Sequence, residues 1–525
     1  VSESGKLANR QIARAAGTVM FAVALSQVAG LVKTILVSPA FGTSAAYDAF
    51  NSATRFQDII FNLVAGGALA SAFVPTFTGF LNKDDQEGAW RLASAIINLI
   101  LLVLTTLSLL SILFAPQIVR TILAPLFPAS EQALTVQLLR ILMVNATIFG
   151  VSGLIMGILN SYQRFLLPAM ASSMYWVGMI IGLLVFVPSM GIYGLAWGAV
   201  LGAILHLSVQ LPDLFHLPGR HYTPSLGLQN PSVREVAVLM GPRLFGVAII
   251  QLNFLVNNII ASGQPTGSVS SIGYAFQIMT VPLYVIGGAI GTATLPTFSR
   301  QTARREFTEM RQSLTASLRG VLLLALPSTL GLILLRQPII AFLFQHKNFD
   351  AHSTAMVAWA LMWYTVGLVF HSVTEILSRA FYAMHDTRTP VLVTGGSMGL
   401  NILFSLAFSA WFTKIGWMPL GGLALATSVA AAIEATLLLI LMRKKLNGIL
   451  AGQLVRGAGA ATLGTLVMSA GLVGWLQLIH PSSLALTSLG GVVVGVAIYG
   501  VVMMLLRISE VKSLFGTLRQ RLGRH

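Results

Sequence analysis

Apolar residues occupy the chain in long blocks, each near the ~20 residues that a helix needs to cross the hydrocarbon of a bilayer. Short polar turns separate the blocks. Fourteen helices are predicted in this way, near 13–38, 47–78, 91–114, 133–160, 167–188, 192–212 and 234–261 in the first stretch. The rest lie near 268–298, 314–344, 353–383, 389–413, 419–442, 455–479 and 484–506. Several exceed a bilayer thickness, which implies tilt or extension into water.

The turns carry most of the charge. If the N-terminus is inside, the inside loops and helix ends hold 22 Lys and Arg residues, and the outside ones hold only four: Arg120, Arg336, Lys347 and Lys414. Cytoplasmic loops are enriched in these residues, so both termini are expected in the cytoplasm and the helix count to be even. Helix one, over twenty residues after a short polar lead, is longer than the apolar stretch that precedes the small-residue cleavage site of a signal peptide. It is therefore expected to remain in the mature chain. The tail from Arg507 to His525 is basic and moderately amphipathic, which fits a helix on an anionic lipid surface or a solvated tail.

Composition sharpens the class. Only 9% of the 525 residues are charged and 55% are hydrophobic, against about 25% charged in soluble domains. A water-soluble fold is excluded. The net charge of +16 is spread over loops and forms no dense basic face, which argues against nucleic acid as a partner. The chain has no cysteine, hence no disulfide, no thiol nucleophile and no Cys-ligated metal.

The chain also matches itself at an offset of 221. Val64 to Thr78 (VAGGALASAFVPTFT) aligns with Val285 to Ser299 (VIGGAIGTATLPTFS), with eight of fifteen positions identical. Pro168 with Pro390, and Gly194-Leu195-Ala196 with Gly422-Leu423-Ala424, roughly keep step. Two copies of a six-helix unit follow, with helices thirteen and fourteen added. The expected parts are a first lobe over 1–215, a second over 233–443, the added pair over 454–507 and the tail over 508–525. Each unit has an even number of spans, so the copies share one orientation and are related by an axis along the membrane normal, as in rocking-bundle transporters.

An ionised side chain at the bilayer centre costs ~2.5–3.5 kcal/mol, so charges inside these helices demand a reason. Asp58 follows Arg55 by three residues and Arg379 follows Glu375 by four, spacings that pair them on one helix face. Arg319 lies near a helix end and can snorkel. Lys33, Arg55 and Arg243 are the candidates for an anionic ligand, and a guanidinium suits phosphate. Arg243 follows Gly241-Pro242, a predicted helix break. Gly194, Gly198 and Gly202 mark a close helix approach. His206 and His371 lie singly in helices and are read as packing residues. No G-x-x-x-x-G-K-[ST] loop, H-E-x-x-H pair or G-x-S-x-G elbow occurs, so no enzymatic or nucleotide-hydrolysing activity is expected. Transport must draw on a gradient, the membrane potential or consumption of the product.

Several motifs resemble the MurJ/MviN-type lipid II flippases of the multidrug/oligosaccharidyl-lipid/polysaccharide exporter superfamily. In the first half they are Ala40-Phe41-Gly42, Asp48-Ala49-Phe50 and Gly67 to Pro75. In the second they are Gly241-Pro242-Arg243, Gly288 to Thr292 with Leu295-Pro296, Phe381-Tyr382-Ala383 and Asp386 to Pro390. The resemblance covers essentially the whole chain. It implies an all-α polytopic protein of the bacterial inner membrane with two six-helix lobes around a cationic cavity. It further implies alternating-access transfer of the undecaprenyl-pyrophosphate-linked peptidoglycan precursor to the outer leaflet, with the lipid tail along helices thirteen and fourteen. The implied partners are the lipid-linked anionic glycan, the membrane and cell-wall synthesis proteins. No cofactor is implied beyond coupling to the membrane potential or a monovalent cation, for which Asp386 is a candidate acid.

The chain departs from the family in its cations. Where the family's first helix reads Ser-Arg-x-x-Gly-x-x-Arg-Asp, this one reads Ser26-Gln27-Val28-Ala29-Gly30-Leu31-Val32-Lys33-Thr34. Phe61 and Asn62 stand where helix two carries arginines, and Gln277 where helix eight does. Asp48 matches the family aspartate. The substrate-binding set expected is therefore Lys33, Asp48, Arg55 and Arg243, with amides from Gln27, Asn62 and Gln277. Three readings stay open: a lipid II flippase using these groups, a paralogue moving another lipid-linked glycan, and a non-transporting scaffold for glycan assembly.

Overall fold

In the computed structural model, which describes residues 3–64, 67–478 and 483–506 (without the side chains of 3–21, 67–71, 242, 245 and 478), every apolar block is helical wherever it is described. The elements of the first half are α1 Glu3–Phe41, α2 Ala45–Val64, α3 Gly67–Leu81, α4 Gln86–Leu113, α5 Ala115–Ile118 and α6 Ala129–Ser161. Then come α7 Leu166–Ile181, α8 Val187–Met190, α9 Ile192–Ser208, α10 Leu211–Phe215 and α11 Pro231–Ser262. The second half holds α12 Ser268–Leu283, α13 Ala289–Ala303, α14 Phe307–Phe344, α15 Ala351–Val366 and α16 Leu368–Ala383. It ends with α17 Arg388–Lys414, α18 Leu420–Lys445, α19 Ala451–Leu478 and α20 Gly491–Leu505. No strand occurs among the described residues. The basic tail lies outside them.

Eleven of these helices are long and apolar enough to cross a membrane, or thirteen if each of two bent pairs is one span, among the described residues. The expected span over 47–78 falls outside that tally. Its first part, α2, carries Asp48, Arg55 and Asp58 within 20 residues, so the polarity that makes it interesting also lowers its hydropathy. The expected helix one is longer than the apolar block, because the Ala-, Arg- and Gln-rich lead is itself a good helix former.

The breaks have physical causes. The pair α15–α16 bends by 43° at Gly367. Ser428 on α18 packs into that notch and donates its hydroxyl to the Trp363 carbonyl at 2.6 Å, which satisfies a carbonyl that the bend would otherwise leave bare. Helix α11 bends by 48° between Gly241 and Gly246, as the Gly-Pro pair predicts. In the sequence repeat, the Tyr284–Gly288 stretch forms a π-turn between α12 and α13.

The chain forms two compact units, Val1–Ser270 and Ser271–His525. In the first, α2 packs on α6, α1 and α9 on α7, and α11 on α2 and α3. Its apolar core runs through Phe73, Phe77, Trp90, Leu154 and Ile158. Thus α11, which opens the second copy of the sequence repeat, packs with the first copy. The connection leading to α11 is tied down along α4. Trp90 donates to the Pro218 carbonyl, and Asn98 donates to the carbonyls of Thr223 and Ser225. The second unit packs α13, α14, α16 and α18 around Phe298, Leu318, Ile376, Phe381 and Leu438. Its α19 lies on α14 and α20, and Tyr499 of α20 donates to the Leu323 carbonyl at 2.6 Å.

Candidate functional site: a cationic interior in the first unit

Helix α7 is held unusually close to α9. A Cβ on Gly178 would fall 2.2 Å from the Gly202 Cα, and one on Gly182 would fall 2.2 Å from the Gly198 Cα. The Gly198 and Gly202 positions of the predicted stripe therefore let the two backbones touch. That contact sets where α7 presents Tyr175 and Trp176, whose rings lie 4.9 Å apart.

Lys33 of α1 reaches this pair. Its Nζ lies 5.1 Å from the centroid of the Trp176 ring. Gly30, one turn earlier, makes room: a Cβ there would stand 3.3 Å from Trp176 Cε2. Arg55 of α2 is placed in the same manner on a different ring, with its guanidinium carbon 4.7 Å from the centroid of Phe254 on α11. The two helices are pinned nearby. Ser52 donates to Asn258 Oδ1 at 3.2 Å, and Asn258 donates to the Leu123 carbonyl at 2.9 Å. Asp58 lies within electrostatic reach of both Arg55 and Tyr175. Lys33 and Arg55 are each half-buried, and neither belongs to an ion pair among the described residues.

The other predicted site residues separate into groups. Arg243 is exposed within the α11 bend, between Gly241 and Gly246. Gln27 is half-buried on α1, two turns before Lys33. Asn62 spends its amide on the Asp58 carbonyl at 2.8 Å. Gln277 lies on α12 in the second unit, half-buried.

Asp48 is 1% exposed. It accepts the backbone N–H of Gly267 at 2.6 Å and of Ser270 at 2.7 Å, together with the Ser270 hydroxyl. Its charge is thus satisfied by the donors at the start of α12, an arrangement suited to a helix N-terminus. Glu131 of α6, also buried, is within electrostatic reach of it.

Asp386 is occupied as well. It caps α17 by accepting the Thr389 N–H at 3.0 Å and the Thr389 hydroxyl at 2.8 Å, and it pairs with Lys445 at 2.5 Å. These bonds, with the Lys445 ammonium foremost, hold its carboxyl down at about 2. His206 is a packing residue as read from sequence, with Nδ1 2.7 Å from the Ser152 hydroxyl.

Trp176, Tyr175, Phe254 and Gly30 did not emerge from the sequence as site residues. A signal existed in part: two adjacent aromatics with polar edges in mid-span, away from the interfacial belts where such rings collect.

The family model described as "Lipid II flippase MurJ" matches residues 37–495, a stretch that begins just after Lys33. The chain is 34% identical over 438 residues to the lipid II flippase MurJ of Burkholderia cenocepacia, covering 82% of this chain and 84% of that protein. It is 32% identical over 444 residues to the probable lipid II flippase MurJ of Bdellovibrio bacteriovorus, covering 82% of each. Among solved structures, a lipid II flippase MurJ in an inward closed conformation superposes with a TM-score of 0.79 at 23% identity, covering 93% of this chain and 98% of that one. An inward-facing multidrug-resistance MATE transporter of the MOP superfamily gives 0.69 at 17% identity, covering 80% and 94%. The structural likenesses speak for the fold. The extent of the sequence match decides the lineage, and the chain belongs to the MurJ lipid II flippase family.

Proposed function

We infer that this protein is a lipid II flippase, which carries the undecaprenyl-pyrophosphate-linked peptidoglycan precursor from the inner to the outer leaflet of the bacterial cytoplasmic membrane. The match along residues 37–495 carries the reading. The chemistry of the first unit supports it. Two cations, Lys33 within a helix apolar enough to cross a membrane and Arg55 on α2, form no ion pair among the described residues, and this leaves donors for an anionic headgroup even though Asp58 lies within electrostatic reach of Arg55. Arg243 adds a third, exposed at a helix bend. A pyrophosphate is bound by Arg55 through a guanidinium fork and by Lys33 as a point charge, with the Gln27 amide a further donor on the same helix. Asp48 supports the site by fixing the backbone around Gly267 and Ser270. Both termini face the cytoplasm, on the strength of the uneven distribution of Lys and Arg. Energy comes from the membrane potential, a monovalent cation gradient or removal of the product.

The test is rescue of a bacterium depleted of its own lipid II flippase. The wild-type chain should restore growth, and Lys33→Ala or Arg243→Ala should not. Failure of a well-expressed wild-type chain to rescue would overturn the reading in favour of a paralogue with another lipid-linked glycan or a non-transporting scaffold.

A further inference from the structure

A cation inside a membrane protein can be stabilised by a carboxylate, by reaching water, or by the face of an aromatic ring. The first neutralises it and occupies its N–H groups. The third does neither: the ring quadrupole attracts the charge and leaves the donors on the side away from the ring unused. Lys33 takes the third route, and Arg55 lies on a ring of a different helix with Asp58 within electrostatic reach but in no ion pair with it among the described residues. Two features show that the Trp176 contact is built into the packing. Glycine stands at position 30, where a Cβ would press on the indole. And α7 is locked on α9 through paired glycines that fix the height of Trp176.

We propose that Trp176 and Phe254 are positioning residues for headgroup recognition, holding Lys33 and Arg55 charged and outside any direct ion pair so that their N–H donors meet a pyrophosphate. This rests on the reading of the site as pyrophosphate-binding. The arrangement matters most for Lys33. An ammonium on a flexible four-carbon stem has no fixed fork to aim, and the Trp176 face restricts where it can point. For Arg55, a ring against the guanidinium leaves the in-plane N–H fork open for bidentate bonding.

The experiment measures the affinity of the full chain, in phosphatidylcholine nanodiscs, for undecaprenyl pyrophosphate and for uncharged undecaprenol. The variants are Trp176→Leu, Trp176→Phe, Lys33→Met and the Trp176→Leu/Lys33→Met double, with Phe254→Leu and Arg55→Met as the second set. Trp176→Leu should weaken pyrophosphate binding by about tenfold and leave undecaprenol binding unchanged, with Trp176→Phe between it and wild type. In the Lys33→Met background, Trp176→Leu should cost nothing more, because the two residues then act as one unit. Phe254→Leu should behave likewise toward Arg55→Met. The proposal is overturned if Trp176→Leu leaves pyrophosphate affinity intact, or if its loss is the same with and without Lys33. Should Trp176→Leu not fold, Trp176→Phe carries the test, with a loss of about threefold expected. A wild-type chain that binds undecaprenol as well as the pyrophosphate would instead overturn the reading of the site itself.

Discussion

The two units treat their intramembrane charges in opposite ways. In the second, Glu375, Glu434 and Asp386 are each answered by a cation or a hydroxyl. Arg379 pairs with Glu375 at 3.0 Å and donates to the Thr292 hydroxyl at 2.7 Å, seated where Gly291 leaves space. Glu434 accepts from the hydroxyls of Thr394 at 2.6 Å and Ser397 at 3.1 Å. Even Lys445, which also lies over an aromatic ring, Phe381, is paired with Asp386. In the first unit, Lys33 and Arg55 have rings and no direct ion pair among the described residues, although Asp58 lies within electrostatic reach of Arg55. The difference separates charges closed into ion pairs and hydrogen bonds from the two cations proposed above to meet the headgroup. Local spacing cannot make that distinction: Arg55–Asp58 and Glu375–Arg379 look alike in sequence, yet among the described residues only the second closes into an ion pair.

The comparison can be broken or sharpened by substitution. The largest effect is expected for Gly202→Val, since a Cβ there would lie 2.4 Å from the Tyr175 carbonyl oxygen. Neither backbone can yield, so folded protein recovered by size-exclusion chromatography should fall severely. A well-folded Gly202→Val chain would show that α7 is not locked as described.

Asp48→Ala comes next. It leaves buried N–H groups at Gly267 and Ser270 without an acceptor, each costing about 1–3 kcal/mol. The apparent Tm should drop by several degrees, visible in scanning fluorimetry. Undecaprenyl pyrophosphate affinity, measured well below that Tm, should change far less than it does in Lys33→Met.

Arg379→Met should lower stability by about 1 kcal/mol, the scale of a partly exposed ion pair, while leaving pyrophosphate affinity within about twofold of wild type. A loss of affinity equal to that of Lys33→Met would erase the contrast between the units.

The smallest effect concerns acid stability. Asp386 has its folded-state pKa depressed to about 2, below the ordinary aspartate value near 3.9. Its stabilising contribution is complete above the unfolded value and is lost as pH falls from about 4 to about 2. Asp386→Ala should therefore flatten the stability profile in that window and lower stability above it, by chemical denaturation followed through tryptophan fluorescence. An unchanged slope between pH 4 and 2 would mean that the Lys445 contact does not persist in solution.

Much of this architecture is legible in the sequence because membrane helices are written as contiguous apolar runs. The blocks near 133–160, 389–413 and 419–442 correspond closely to α6, α17 and α18. The Gly241-Pro242 break and the close approach at Gly198 and Gly202 follow from residue type alone. The ring partners of the cations do not, since Trp176 and Phe254 lie far from Lys33 and Arg55 along the chain and only packing brings them together. The donors on Asp48 are equally remote, at Gly267 and Ser270. Asp386 was readable in another sense. An aspartate three residues before a threonine at a helix start, with proline next, is a capping signal, and the structure uses it so.

We propose that the ring-held cations of the first unit, and not the paired charges of the second, recognise the transported headgroup. Side-by-side rescue of a lipid II flippase-depleted bacterium tests it most directly, with wild type, Lys33→Met/Arg55→Met and Arg379→Met expressed at equal membrane levels. Growth is expected with wild type and Arg379→Met and none with the Lys33→Met/Arg55→Met double. Full rescue by that double variant would contradict it.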